Sequence, residues 1–122
     1  MQKTVLSKKN RLTSNSSFKA TYCQNRVVSD EFFVLFGGKN KTSEEIMTKI
    51  GFVVSKKIDK RATVRNKIKR RLREAMGKYL KENDPKFMSL VFKAKEKSKE
   101  ADYSQILKSV YKLIDKLANK NF

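Results

Sequence analysis

Residues 56–73 read KKIDKRATVRNKIKRRLR, and ten of these eighteen side chains are Lys or Arg against one acid, Asp59. That is +9, half of the chain's net +18, in about a seventh of its length. Such a density repels itself and costs folding stability. It is tolerable where the partner is a polyanion whose released counterions supply binding free energy. The chemistry on offer is phosphate recognition. Arginine forks match pairs of phosphate oxygens, lysine supplies a mobile point charge, and an amide such as Asn66 can donate to or accept from a sugar hydroxyl or base edge. A solvated cationic helix is the usual meaning of an ordinary charge run. Here the cations are packed with almost no compensating acid, and the reading is nucleic-acid binding.

The block is also patterned. Laid on a helix at about 100° per residue, Val64, Ile68, Leu72, Ala75, Met76 and Tyr79 fall within an arc of about 120°. Arg65, Asn66, Lys69, Arg70 and Arg73 fall on an adjoining arc of about 140°. One face can dock on a core while its neighbour presents the donors. A second candidate set is aromatic. Phe18 and Tyr22 lie one helical turn apart, and Phe32, Val34 and Phe36 share one side of a strand, with Phe33 and Leu35 facing the other way. Exposed together, they would stack on unpaired bases; sealed together, they would be ordinary core. Lys56 and Lys57 follow a strand and precede the basic helix, where a strand end and a helix start would clamp a backbone phosphate.

The absence of histidine excludes Ser-His and Cys-His catalysis and the usual zinc sites. The lone Cys23 cannot form an intramolecular disulfide, and we expect no disulfide-linked partner, a reducing cytoplasm, and a small buried or half-buried role for this thiol. The acidic pairs, Asp30 with Glu31 and Glu44 with Glu45, are sequence neighbours whose side chains tend to point apart, so they do not converge on a hard cation. No apolar run is long enough to span a bilayer, and no membrane partner is expected. A pI near 10.2 points to nucleic acid before an anionic membrane surface. At 39% apolar residues, including eight Phe, the chain supports a real core rather than a disordered basic tail.

The elements that must position these groups follow from periodicity and punctuation. Ser14, Asn15, Ser16 and Ser17 offer N-caps for a short helix over 15–24. Residues 32–36 read as a strand, the Gly37-Gly38 region as a loop, and 46–55 as a second long strand, with an extra edge strand near Val27 and Val28. Residues 56–61 turn into the basic helix, which runs to about 81 and is broken over 81–86, where Pro85 lies. Residues 87–94 alternate as a strand with one wetter face. Asp102 and Gln105 form a capping-box pair for an amphipathic helix carrying Tyr103, Ile106, Leu107, Val110, Leu113, Ile114 and Leu117. The order α-β-β-(β)-α-β-α predicts an α+β sandwich, helices packed on a small mixed sheet, in a single RNA-binding domain over 1–122. Residues 1–13 and the extreme C-terminus are expected to be flexible.

Three features resemble the protein subunit of bacterial ribonuclease P. Lys49, Gly51, Ser55, Lys56 and Lys57, spaced KxGxxxSKK, resemble the end of that family's central strand. Arg65, Asn66, Lys67, Lys69, Arg70, Arg73 and Glu74, spaced RNKxKRxxRE, resemble its basic motif on the second helix. Phe18 and Tyr22 resemble the aromatic pair on its first helix. The resemblance covers nearly the whole chain. It implies a ribosomal protein S5 domain 2-like fold with a left-handed β-α-β crossover around the basic helix, the opposite of the general handedness preference. It implies a ribonucleoprotein endoribonuclease that removes the 5′ leader from precursor tRNA. Catalysis then belongs to the RNA subunit with its magnesium ions, and no cofactor is held by the protein alone. By this resemblance Arg65, Asn66, Lys67, Lys69, Arg70 and Arg73 face the catalytic RNA. Phe18, Tyr22, Val34 and Phe36, with Lys56 and Lys57, serve the single-stranded leader. The chain departs from the family at Lys67, which stands where a second arginine is usual and keeps a point charge without the planar fork. Tyr22 stands where phenylalanine is usual, and its hydroxyl would prefer a wet rim. From the residues alone, a ribosomal protein, a protein nuclease and a peripheral membrane binder remain as alternatives.

Overall fold

Ser14 ends the polar leader with a β-region backbone, and its hydroxyl accepts from the Ser17 amide at 3.1 Å, starting α1 at Asn15–Tyr22. That capping selects one of the four candidate residues and satisfies one of the orphan N–H groups of the first turn. The computed structural model describes residues 8–43 and 45–120. The expected flexibility of the ends falls in part outside the described residues, as does Glu44 of the second acidic pair.

After α1 the chain turns through Asn25, whose φ of 54° is left-handed and suited to asparagine. The strands are β1 (Arg26–Ser29), β2 (Phe33–Gly37), β3 (Lys49–Val53) and β4 (Ser89–Ala94). They form one sheet in the order β1-β2-β4-β3, antiparallel from β1 to β4 and parallel between β3 and β4. The long helix α2 (Ala62–Glu82) joins the two parallel neighbours, and α3 (Tyr103–Ala118) closes the chain. The architecture is α+β, three helices on a small mixed sheet, as the element order predicted.

The period-2 rule divides the sheet into two faces. Phe33, Leu35, Leu90, Phe92 and Ile50 are buried on the face covered by α2 and α3. Both helices supply the apolar arcs read from the sequence: Ile68, Leu72, Ala75 and Met76 from α2, and Ile106, Val110, Leu113, Ile114 and Leu117 from α3. Val64 and Tyr79 pack at the margin of the same cluster. The capping box is realised, with Gln105 N donating to Asp102 Oδ1 at 2.8 Å and Asp102 N donating to Gln105 Oε1 at 3.0 Å. Helix α1 lies against β2 and β4 on the opposite face. This explains why Val91, on the wetter side of β4, is nonetheless fully buried.

Three expectations are corrected here. Residues 8–12 are not loosely ordered. A 3-10 turn at Lys8–Asn10 leads into a strap along the free edge of β3, where Leu12 N donates to Ile50 O at 2.9 Å and Asn10 Nδ2 donates to Thr48 O at 2.9 Å. An edge strand needs partners for its outward backbone groups, and the strap supplies them. Phe32 does not share the α1 face with Val34 and Phe36. Asp30 accepts the Phe32 and Phe33 amides at 2.8 and 2.9 Å and a hydroxyl bond from Ser109, so Phe32 sits in a turn and its ring joins the core. Cys23 is exposed, because it occupies the C-cap of α1 and its side chain leaves the packed face. Glu31 instead reaches Lys97 at 2.9 Å, so the first acidic pair does point apart.

Candidate RNA interface

The cationic face of α2 is built by the same spacing that buries its apolar face. Ile68 and Leu72 anchor the helix, and Asn66, Lys67 and Arg70 are left exposed while Arg65, Lys69 and Arg73 are half-buried. The block is therefore not equivalent along its length. Arg65 folds back, and its Nη1 donates to the Asp59 carbonyl at 2.9 Å and to the Lys60 carbonyl at 2.8 Å. Two of its five N–H donors thus brace the turn before α2, and the others remain for a ligand. Arg71 points away from this face, with Nη1 donating to the Ala101 carbonyl at 2.8 Å. Asp59, the block's only acid, accepts from the Arg61 amide, Nε and Nη2. The Arg61 hydrogen bonds hold its carboxyl far below the usual carboxylate range. The one negative charge is thus spent on Arg61 and, at 3.6 Å, on Lys99, and among the described residues no ion pair neutralises Lys67, Lys69, Arg70 or Arg73. Burial, and then the nearby Arg11 guanidinium, lower the pKa of Arg73 from its ordinary value.

The aromatic set lies on the other face of the sheet. The rings of Phe18 and Tyr22 are 6.5 Å apart, and Tyr22 meets Phe36 edge-on at 4.8 Å. All three are half-buried, as is Val34, so they are neither sealed in the core nor free in solvent. Burial pushes the Tyr22 phenol above its ordinary pKa, which keeps it a neutral hydrogen-bonding group. Strand register extends this trough. Val34 pairs with Lys93, and Lys93 pairs with Val53, so an exposed lysine stands on the same face two residues beyond the buried Val91. Lys56 and Lys57 are exposed in the turn that follows β3, at that same end of the sheet. Lys93 was not singled out from the sequence; the signal was its place in the β4 alternation, which acquires meaning only through pairing with Val34 and Val53.

Gly51 has a specific reason to be glycine. A Cβ there would approach the Phe18 ring at 2.5 Å and the Leu12 side chain at 3.3 Å. The backbone of β3 thus passes directly under Phe18, and any side chain at 51 would lift the ring from its seat. A hollow of about 280 Å³ lies along α1, lined by Ser17, Ala20, Gln24, Lys49 and Met88, and Phe18, Tyr22 and Phe36 do not line it. Phe18, Tyr22, Val34 and Phe36 each keep part of their surface in solvent. The trough suits a strand laid across it better than a small molecule engulfed by it.

Among the described residues there is no group of three or more metal-ligating side chains, and no helix is long and apolar enough to cross a membrane. The arrangement can bind two stretches of polyanion, one by charge along α2 and one by stacking against α1 and β2.

The family model described as Ribonuclease P matches residues 6–118. The ribonuclease P protein component of Clostridium botulinum (strain Langeland) is 32% identical over 109 residues, covering 89% of this chain and 95% of that protein. The Staphylococcus aureus RNase P protein superimposes with a TM-score of 0.75 at 29% identity, covering 90% of this chain and 95% of its own. The Thermotoga maritima RNase P protein gives a TM-score of 0.73 at 24% identity, over 87% of this chain and 96% of its own, a likeness of fold.

Proposed function

The chain belongs to the ribonuclease P protein family, and we propose that it serves the holoenzyme as a two-sided RNA adaptor. Arg65, Asn66, Lys67, Lys69, Arg70 and Arg73 dock on the catalytic RNA, while Phe18, Tyr22, Val34 and Phe36 take the single-stranded 5′ leader of precursor tRNA. Lys56 and Lys57 clamp leader phosphates at the end of the trough. The observation that carries this reading is the separation of the two surfaces. One is cationic and lies on α2; the other is aromatic and lies across the sheet under α1.

The division of labour follows from the side chains. With no histidine in the sequence and its carboxylates dispersed, the protein contributes binding free energy rather than proton transfer. Phosphodiester cleavage and the magnesium ions that assist it belong to the RNA subunit, so the protein itself holds no cofactor. Contacts to the leader exist in the substrate and vanish in the product. The protein therefore raises affinity for precursor without tightening mature tRNA, and product inhibition is relieved.

The test compares precursor and mature tRNA binding to the RNA subunit, with and without the protein. The reading predicts that adding protein tightens precursor by about tenfold or more and leaves mature tRNA within about twofold, on the scale of one or two stacked bases. Equal tightening of both would place the contacts on the tRNA body and remove the leader role.

A further inference from the structure

Strand register lays one row of residues straight across the sheet: Ser29 of β1, Val34 of β2, Lys93 of β4 and Val53 of β3. The row two residues away, Val27, Phe36, Val91 and Gly51, shares its face and lies beneath α1, where Tyr22 meets Phe36 and Phe18 covers Gly51. Ser17, Ala20 and Gln24, on the other flank of α1, line the hollow together with Gly38, Lys49 and Ser89. The aromatic flank of α1 is therefore turned toward the row that carries Lys93. Sheet order adds a second constraint. β4 runs between β2 and β3, so Lys93 lies in the column between the strand under Tyr22 and the strand under Phe18. It is the row's one cation, it is exposed, and among the described residues its side chain makes no ion pair or hydrogen bond. A lysine on an edge strand guards against pairing with another chain, but both edges of β4 are already paired. Lysine is also a poor strand former, so edge protection and propensity both leave this residue unexplained.

We propose that Lys93 holds the one phosphate that joins the two leader nucleotides stacked on Phe18 and Tyr22. The two ring centroids are 6.5 Å apart, which leaves one base to each ring and a single linkage between them. That linkage passes over the β4 column, where Lys93 supplies a point charge between the half-buried Val34 and Val53. Lys93 thereby sets the register of the leader along the trough, and Lys56 and Lys57 stand beyond it, past the end of β3. The assignment rests on the reading of the trough as the leader's seat and adds to it one defined contact.

Precursor tRNAs in which one leader phosphodiester at a time is replaced by an uncharged methylphosphonate test the contact in the assembled holoenzyme. Lys93→Met keeps an apolar stem and removes the charge. It weakens binding of unmodified precursor by about three- to fivefold, the scale of one exposed charge contact, and leaves mature tRNA unchanged. The slope of log affinity against log salt falls by roughly 0.7, the value for one phosphate of a single strand. At one linkage the methylphosphonate weakens wild-type binding by a similar factor and costs the Lys93→Met holoenzyme nothing, while its effects at the other linkages are the same in both. Lys93→Arg keeps the charge, binds precursor within about twofold of wild type and retains the wild-type linkage profile. A Lys93→Met profile that matches wild type at every linkage, or equal weakening of precursor and mature tRNA by this variant, overturns the contact. The leader reading fails by a different sign, equal losses for precursor and mature tRNA in Tyr22→Ala, whatever Lys93→Met does.

Discussion

Replacing Arg70 and Arg73 together by alanine weakens assembly with the catalytic RNA by about a hundredfold or more and flattens its salt dependence. Each side chain stands on the α2 face without an acidic partner among the described residues, so each has donors to spend on phosphate. A charge-assisted hydrogen bond contributes about 1.5–3 kcal/mol, and two such contacts give at least the stated loss. Each neutralised phosphate also adds roughly 0.7–0.9 to the slope of log affinity against log salt, so the double variant loses about 1.4 to 1.8 units of slope. Binding titrations over a series of potassium chloride concentrations read both quantities. Arg71→Ala is the internal control. Its guanidinium braces the Ala101 carbonyl, so its loss costs folding stability and leaves the salt slope unchanged. A double variant that assembles like wild type places the docking surface elsewhere on the molecule.

The second large effect concerns the trough. Tyr22→Ala and Phe18→Ala each weaken precursor tRNA binding by the holoenzyme by about 1–3 kcal/mol, roughly 5- to 150-fold, without changing affinity for mature tRNA. Tyr22 is the cleaner site, because its ring leans on the Phe36 edge rather than on backbone. Tyr22→Phe keeps the stacking surface and is expected to stay within about threefold of wild type on the same scale. Phe18 roofs Gly51, above which Leu12 of the strap also lies, so its truncation also loosens the β3 edge. Urea unfolding of each variant separates the two effects: a stability loss lowers active protein for both ligands, while a lost stack lowers precursor binding alone. Equal losses for precursor and mature tRNA would contradict the assignment of these rings to the leader.

What could be read in the residues, and what could not, divides along the range of the interactions. Helix α2 was legible because its apolar and cationic arcs are both set by local 3.6-residue spacing, and Ile68 and Leu72 lie where that spacing put them. The capping box of α3 was legible for the same reason. Phe32 was misplaced because an aromatic run predicts strand wherever it occurs. The Asp30 side chain, bonding two successive amides, converts its first residue into a turn. The strap at residues 8–12 was missed because nothing local orders a polar, basic segment. Its order comes from the unpaired edge of β3, some forty residues on. Lys93 was missed because its place beside the trough depends on the register of three strands. Helix α1 could be found from its serine cap and aromatic pair. That it covers the sheet face opposite α2 and α3, leaving its rings half-exposed, could not.

On the proposed reading one small domain grips two parts of the same assembly at once, and the α1 trough makes the grip on substrate. A photoreactive group placed at position 22 of the assembled holoenzyme tests this most directly. With precursor tRNA bound, irradiation should attach the protein to nucleotides of the 5′ leader, and mature tRNA should give no such product. Attachment to the tRNA body, or to the catalytic RNA irrespective of the leader, would contradict it.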